Sequence, residues 1–146
     1  MVPSRAMNWI TDTIAIGNYL EARDTALHRR HGIRSVLCLD GSLEGHDPAL
    51  LDLADIEVFA LVDGPGNLPM QFFQAVSLVA QMSQATPNLL VHCHAGRSRS
   101  AVVVAGHLMC TRGLSPADAI GYVAARREIN LTPGIESLLG DRRLRP

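Results

Sequence analysis

The chain has 146 residues, 47% of them apolar and 18% charged, with a formal net charge of −1. That length suits one domain, 1–146, able to bury a core without disulfide or metal staples. The balanced charge argues against a basic surface for nucleic acid or an anionic membrane, and no apolar run approaches the ~18 residues of a membrane span.

Met1 to Trp9 lacks the apolar core of a signal peptide. Trp9 to Gly17 alternates weakly through Ile10, Ile14 and Ile16, which predicts an edge strand sealed by Trp9. A helix over Glu21 to His31 follows, closed by Gly32 where left-handed geometry is cheap. Ile33 to Leu39 reads as a short buried strand bounded by Asp40-Gly41. Asp47-Pro48 caps and opens a short helix to about Ala54, and Ile56 to Val62 is the next strand. Asp63-Gly64-Pro65-Gly66-Asn67 is a loop, with three breakers in succession. Met70 to Gln84 has the apolar spacing of an amphipathic helix, and Leu89 to His92 is a strand. A buried helix spans about Ser98 to Thr111, with Val102, Val103, Val104, Leu108 and Met109 in the core, and stops at Gly113. Ser115-Pro116-Ala117-Asp118 starts another helix and Thr132-Pro133-Gly134-Ile135-Glu136 a last one. The alternation predicts an α/β fold: a mostly parallel central sheet of about four to five strands flanked by helices.

The most informative stretch is Leu89 to Ser100, a strand, a tight loop and a helix start. Loop residues 94 to 99 can aim successive backbone N–H groups at one point, and the helix N-terminus adds partial positive charge there. A phosphate-like dianion suits such a cradle. Arg99 supplies a planar fork for two of its oxygens. Cys93, on the floor among these donors, is a cysteine placed for nucleophilic attack on the bound phosphate. Gly96 stands where the backbone must turn beneath it. In open α/β sheets ligands gather beyond the carboxyl ends of strands, and the Asp63 loop shares that address with the Cys93 loop. Asp63 can therefore be the proton donor that ester cleavage needs. Its plainer alternative is a turn residue chosen for a short polar side chain.

The pattern His92-Cys93-x-x-Gly96-x-x-Arg99-Ser100 resembles the signature loop of the cysteine-dependent protein tyrosine phosphatase superfamily. The filling His94-Ala95-Gly96-Arg97-Ser98-Arg99-Ser100 is similar to its dual-specificity branch. The resemblance implies a phosphatase fold and a two-step reaction through a phosphocysteine, with Cys93 as nucleophile, Arg99 and the loop as phosphate ligands and Asp63 as general acid. It further implies that Ser100 helps the sulfur leave and that His92 orients the loop from behind; an ordinary helix-start hydroxyl at Ser100 and a purely structural buried His92 are the competing readings. His94, Ala95, Gly96, Arg97 and Ser98 complete the phosphate-binding loop. No metal or cofactor is implied, and His92, Cys93 and His94, adjacent on a strand end, are poor joint ligands.

Substrate follows from departures. Asp63 is preceded by Leu61-Val62 with no Trp nearby, and the chain lacks length for a deep phosphotyrosine slot. A shallow pocket is expected, taking phosphotyrosine proteins and also phosphoserine or phosphothreonine. Arg97 keeps open a phospholipid or small phosphorylated metabolite. A non-catalytic phosphate-binding module would have lost Cys93 or Arg99, a sulfur transferase fits the interval to Arg99 less well, and arsenate reduction lacks a nearby resolving Cys. The segment 124–139 is similar to the family's closing helix pair. Its spacing from Asn130 to Gly134 is long, however, and Ile135 stands where an aromatic is common. Arg126 and Arg127 are accordingly expected on a solvated helix end, without a catalytic role.

The three cysteines, Cys38, Cys93 and Cys110, form neither a disulfide framework nor a CxxC pair. Cys110 reads as an apolar filler; Cys38 is a candidate for a protective disulfide with Cys93 under oxidation. All thirteen cationic residues are Arg, a composition that reads as codon or genome bias before function. A cytoplasmic location, where Cys93 stays reduced, is expected; the sequence leaves the oligomeric state open.

Overall fold

The computed structural model describes residues 7–145; the reading of the N-terminus lies outside the described residues as far as Ala6. Five strands, β1 (Asn8–Trp9), β2 (Ile14–Gly17), β3 (Ser35–Cys38), β4 (Asp55–Val58) and β5 (Leu89–His92), form one sheet in the order β1-β2-β5-β3-β4. The β1/β2 pairing is antiparallel and the other three are parallel. The helices are α1 (Thr25–His31), α2 (Pro69–Ala85), α3 (Arg99–Arg112) and α4 (Pro116–Ala124). This is the predicted α/β sheet flanked by helices.

Both faces of the sheet are covered, so β2, β3 and β5 are buried throughout and mostly apolar. Leu89 and Val91 of β5 join the larger core, built with α2, α3 and α4, and Leu90 between them joins a smaller one with Leu27 of α1. Gly106 lets α3 approach α2 closely, because a side-chain carbon there would meet Val76 Cγ2 at 2.9 Å.

Several boundaries differ from expectation, each for a local reason. The predicted edge strand Trp9 to Gly17 is two strands, and β2 lies inside the sheet between β1 and β5. The Thr11 hydroxyl accepts from the N–H groups of Thr13 and Ile14, which turns the chain between them. Half-buried Trp9 sits on the true edge strand and packs on the smaller core. The helix expected from Glu21 breaks at Asp24, whose extended backbone and side-chain acceptance from Leu27 N–H cap α1. Residues Glu21–Arg23 form a separate 3-10 turn, as do Pro48–Leu51 and Ile135–Gly140 in place of the predicted helices there. Gly32 and Gly113 close α1 and α3 in left-handed geometry as expected.

The parallel strands β2, β3 and β5 deliver their carboxyl ends to one edge of the sheet, where three following loops meet.

Candidate active site

Between β5 and α3 the chain turns through residues 93–98, and its carbonyls decide what the turn can bind. The carbonyl of Cys93 accepts from His92 Nδ1 at 3.0 Å and that of His94 from Tyr19 N–H at 3.0 Å. Ala95 and Gly96 carbonyls accept from the Arg127 guanidinium at 3.4 and 2.6 Å, and Arg97 carbonyl from Asn130 N–H at 3.0 Å. In a trans peptide the N–H points opposite to the preceding carbonyl. Carbonyls held outward from 93 to 97 therefore turn the N–H groups of 94 to 98 inward. Among the described residues none of these amides has a protein acceptor. The start of α3 adds to this convergence: its N-cap Ser98 makes no capping bond to its own helix, because its hydroxyl is engaged by Thr132. The result is a ring of donors with the charge of a helix N-terminus behind it.

Gly96 is required twice over. Its φ is +69°, and a side-chain carbon would fall on the Gly17 carbonyl and the Arg127 guanidinium.

Cys93 lies on the floor, buried, with its Sγ 3.3 Å from the buried Ser100 hydroxyl. Arg99 Nη1 donates to the Leu61 carbonyl at 3.2 Å, which fixes the fork, while its buried Nε has no partner among the described residues. Asp63 is exposed on its loop and accepts from the Thr132 hydroxyl at 2.7 Å. All three line one cavity of about 830 Å³, within the usual size of small-ligand pockets. His94, Ala95, Arg97 and Ser98 line it as well, and Gly96 lies buried beneath.

His92 is fully buried, and burial pushes its pKa below the ordinary value, against the pull of Cys93 carbonyl and Asp40. It is thus a neutral imidazole whose Nδ1–H braces the Cys93 carbonyl. Asp40 nearby sits below its usual carboxyl value despite partial burial, because Ser42 donates to it through both N–H and hydroxyl.

Arg127 corrects the sequence reading. Instead of ending a solvated helix it is buried, donating also to Asn8 Oδ1 at 2.8 Å and to the Ile16 carbonyl at 3.2 Å. Burial lowers its pKa, and Glu21 and Cys93 act in the other direction. Arg126 is exposed as expected, its guanidinium 3.5 Å from the Tyr122 ring centroid. The sequence also missed Asn18, Tyr19, Asn130 and Thr132 in the pocket wall. Asn18 and Tyr19 follow β2 directly, and recognising β2 as an internal parallel strand would have pointed to them. The Tyr19 ring stacks on His94 with centroids 4.4 Å apart and planes 8° from parallel, forming one wall.

Cys38 pairs with His92 across β3 and β5 and belongs to the smaller core, whereas Cys93 belongs to the larger. Its thiol is 3.3 Å from Asp40 Oδ1, and burial raises its pKa. The two sulfurs are turned to opposite sides of the sheet, which argues against the disulfide considered from the sequence. Cys38, Asp40 and His92 bring one ligand-type atom each within 4.8 Å of one another, a different trio from His92, Cys93 and His94. Cys110 is half-buried against the larger core, as expected of a filler.

Residues 22–139 match the family model for the dual specificity phosphatase catalytic domain. The plant dual specificity protein phosphatase PHS1 (Arabidopsis thaliana) is 33% identical over 112 residues, 75% of this chain and 12% of that protein. The serine/threonine/tyrosine-interacting protein of Homo sapiens is 31% identical over 128 residues, 84% of this chain and 57% of that one. The chain thus spans less than two thirds of these relatives. The crystal structure of the human tyrosine phosphatase-like serine/threonine/tyrosine-interacting protein superposes with a TM-score of 0.79 at 30% identity, covering 93% of this chain and 94% of that one. A mouse dual specificity phosphatase solved with zinc tungstate also reaches 0.79, at 25% identity over 95% and 86% of the two chains. The fold, the Cys93 loop and the match over 22–139 together place this chain in the dual specificity phosphatase catalytic domain family, within the cysteine-dependent protein tyrosine phosphatase superfamily.

Proposed function

We propose that the chain is one catalytic domain that hydrolyses phosphomonoesters, with phosphotyrosine proteins as substrates and phosphoserine or phosphothreonine accepted in the same pocket. The observation that carries the reading is the row of outward-held carbonyls from Cys93 to Arg97 around a buried thiol. Such a ring stabilises the equatorial oxygens of a phosphoryl group in transfer.

In the first step the Cys93 sulfur attacks phosphorus in line and the ester P–O bond breaks. Arg99 and the loop N–H groups hold the three equatorial oxygens, and the Asp63 carboxyl gives its proton to the leaving oxygen. In the second step water attacks the phosphocysteine, Asp63 takes back a proton, and the P–S bond breaks to release phosphate. Ser100, 3.3 Å from the sulfur, donates to the thiolate as it departs. These steps use side chains and backbone N–H groups of this chain and water. His94, Ala95, Gly96, Arg97 and Ser98 bind the phosphate, with His92 bracing the loop from behind. Arg97 is paired with Glu128 at 3.4 Å, so its charge is partly answered within the chain; this favours the protein reading over the phospholipid or metabolite one. A nucleophilic thiol needs a reducing compartment, and cytoplasm fits. No helix among the described residues is long and apolar enough to cross a membrane.

The test is hydrolysis of p-nitrophenyl phosphate and a phosphotyrosine peptide, in the presence of a chelator, by wild type, Cys93→Ser and Asp63→Asn. Vanadate-sensitive turnover is expected, abolished in Cys93→Ser and reduced about 10²–10⁴-fold on the peptide in Asp63→Asn. Binding of vanadate without turnover in the wild type would mark a phosphate-binding module instead.

A further inference from the structure

We propose that Thr132 is the positioning residue for Asp63, coupling the acid's loop to the phosphate loop through a directed chain of hydroxyls. The proposal rests on the reading of Asp63 as general acid and adds a residue that the sequence pattern left without a role.

Asp63 is exposed on a Gly/Pro-rich loop whose backbone is held on either side of it by the buried Asn67 side chain, which bonds Val62 and Gly64; that fixes the loop but not the rotation of the carboxyl. Its aim comes from across the pocket. Thr132 Oγ1 donates to Asp63 Oδ1 at 2.7 Å. A hydroxyl has one proton and two lone pairs, and having given its proton to Asp63, Thr132 accepts one from Ser98 Oγ at 3.2 Å. The Thr132 N–H in turn donates to Ser98 Oγ at 2.9 Å. With Asp63 as a carboxylate, the chain runs from Ser98 to Thr132 to Asp63. With Oδ1 engaged by Thr132, Oδ2 is the oxygen left free to carry the acidic proton to the leaving group. One oxygen is the anchor and the other is the working oxygen.

The neighbours of Thr132 reinforce the coupling. Asn130 N–H holds the Arg97 carbonyl at 3.0 Å. Gly134, in left-handed geometry at φ +86°, lies so close to Pro65 of the acid loop that a side-chain carbon would meet Pro65 Cγ at 3.1 Å. Arg99 Nη1 holds Leu61 at the other end of that loop. Segment 130–134 thus touches both loops, with Thr132 the point where their side chains join.

The experiment compares Thr132→Val, which keeps the branched shape and removes the hydroxyl, with Thr132→Ser, which restores it. Rates are measured on phenyl phosphate, whose leaving group needs a proton, and on 2,4-dinitrophenyl phosphate, whose leaving group does not. Thr132→Val is expected to lose about tenfold in kcat/KM on phenyl phosphate, which reports the first step alone, a part of the ~10²–10⁴ worth of general acid catalysis. On dinitrophenyl phosphate it should stay within about twofold, with vanadate affinity unchanged and Thr132→Ser near wild type on both. No loss on phenyl phosphate, an equal loss on both substrates, or no rescue by serine would overturn the proposal. Asp63→Asn runs in parallel: if it too lacks leaving-group dependence, the assignment of Asp63 fails; if it shows that dependence and Thr132→Val does not, only the role of Thr132 fails.

Discussion

At the scale of single residues, the site is held together by groups that never touch substrate. Arg127 illustrates this: its one guanidinium engages carbonyls from Ile16, Ala95 and Gly96 and the side chain of Asn8. A planar fork with five donors can do so where an ammonium cannot. Replacing it leaves buried carbonyls without their donor, at a cost of about 1–3 kcal/mol each where water cannot reach them. Arg127→Met should therefore lose about 3 kcal/mol in urea unfolding and weaken vanadate binding at least tenfold, and Arg127→Lys should recover little of either. Unchanged unfolding midpoint and vanadate affinity would show that the loop keeps its shape unaided. Asp63 shows the converse case. Its position in a breaker-rich loop was readable, but the hydroxyl that aims it lies 69 residues away in sequence.

At the scale of elements, the ends of the helices separate structural from functional caps. Asp24 caps α1 and Ser115 caps α4, each accepting from a backbone N–H of the first turn. Ser98, at the same position of α3, spends its hydroxyl on Thr132 and leaves the helix start to the anion site. Ser115→Ala should then cost about 1 kcal/mol of stability, the usual worth of such a cap, and leave kcat/KM as in wild type; thermal unfolding beside p-nitrophenyl phosphate kinetics checks both halves. Local signals served well here. Gly32, Gly113 and Ser115 are correctly read because a left-handed residue or a capping hydroxyl acts within a few bonds of the chain. The same signals failed at Asp24, where a cap inside an apolar pattern split one predicted helix into a 3-10 turn and α1.

At the scale of the molecule, burial of two imidazoles couples stability to pH. His92 and His107 both have pKa values lowered by burial from an ordinary 6.5, His107 also by the charge of Arg112. In the unfolded chain each takes a proton below about 6.5, whereas the folded chain resists it. Their contribution is therefore present above pH 6.5 and lost as pH falls through the lower folded values. Glu21 acts with the opposite sign. Burial raises its pKa above 4.5, partly countered by Asn18 N–H and Arg127, so its contribution is full below about 4.5 and is lost as pH rises through its folded value. Urea unfolding at pH 7.5, 6.0 and 5.0 should show stability falling on acidification, less steeply in His107→Gln, a residue outside the active cavity. A slope identical to wild type in that variant would mean that His107 takes up its proton in the fold as readily as in the unfolded chain.

The sequence by itself determined the α/β architecture, the Cys93 loop and the loop carrying Asp63, because strand and helix periods, breakers and a short motif are properties of neighbouring residues. Only the tertiary structure decided that β2 is internal, that Arg127 is the clamp behind the loop, that Cys38 faces away from Cys93, and that Tyr19 and Thr132 wall the pocket. These depend on which strand ends arrive at the same edge of the sheet. Parallel pairing brings β2, β3 and β5 to that edge from distant parts of the chain, and a partner that distant leaves no mark in the residues beside it.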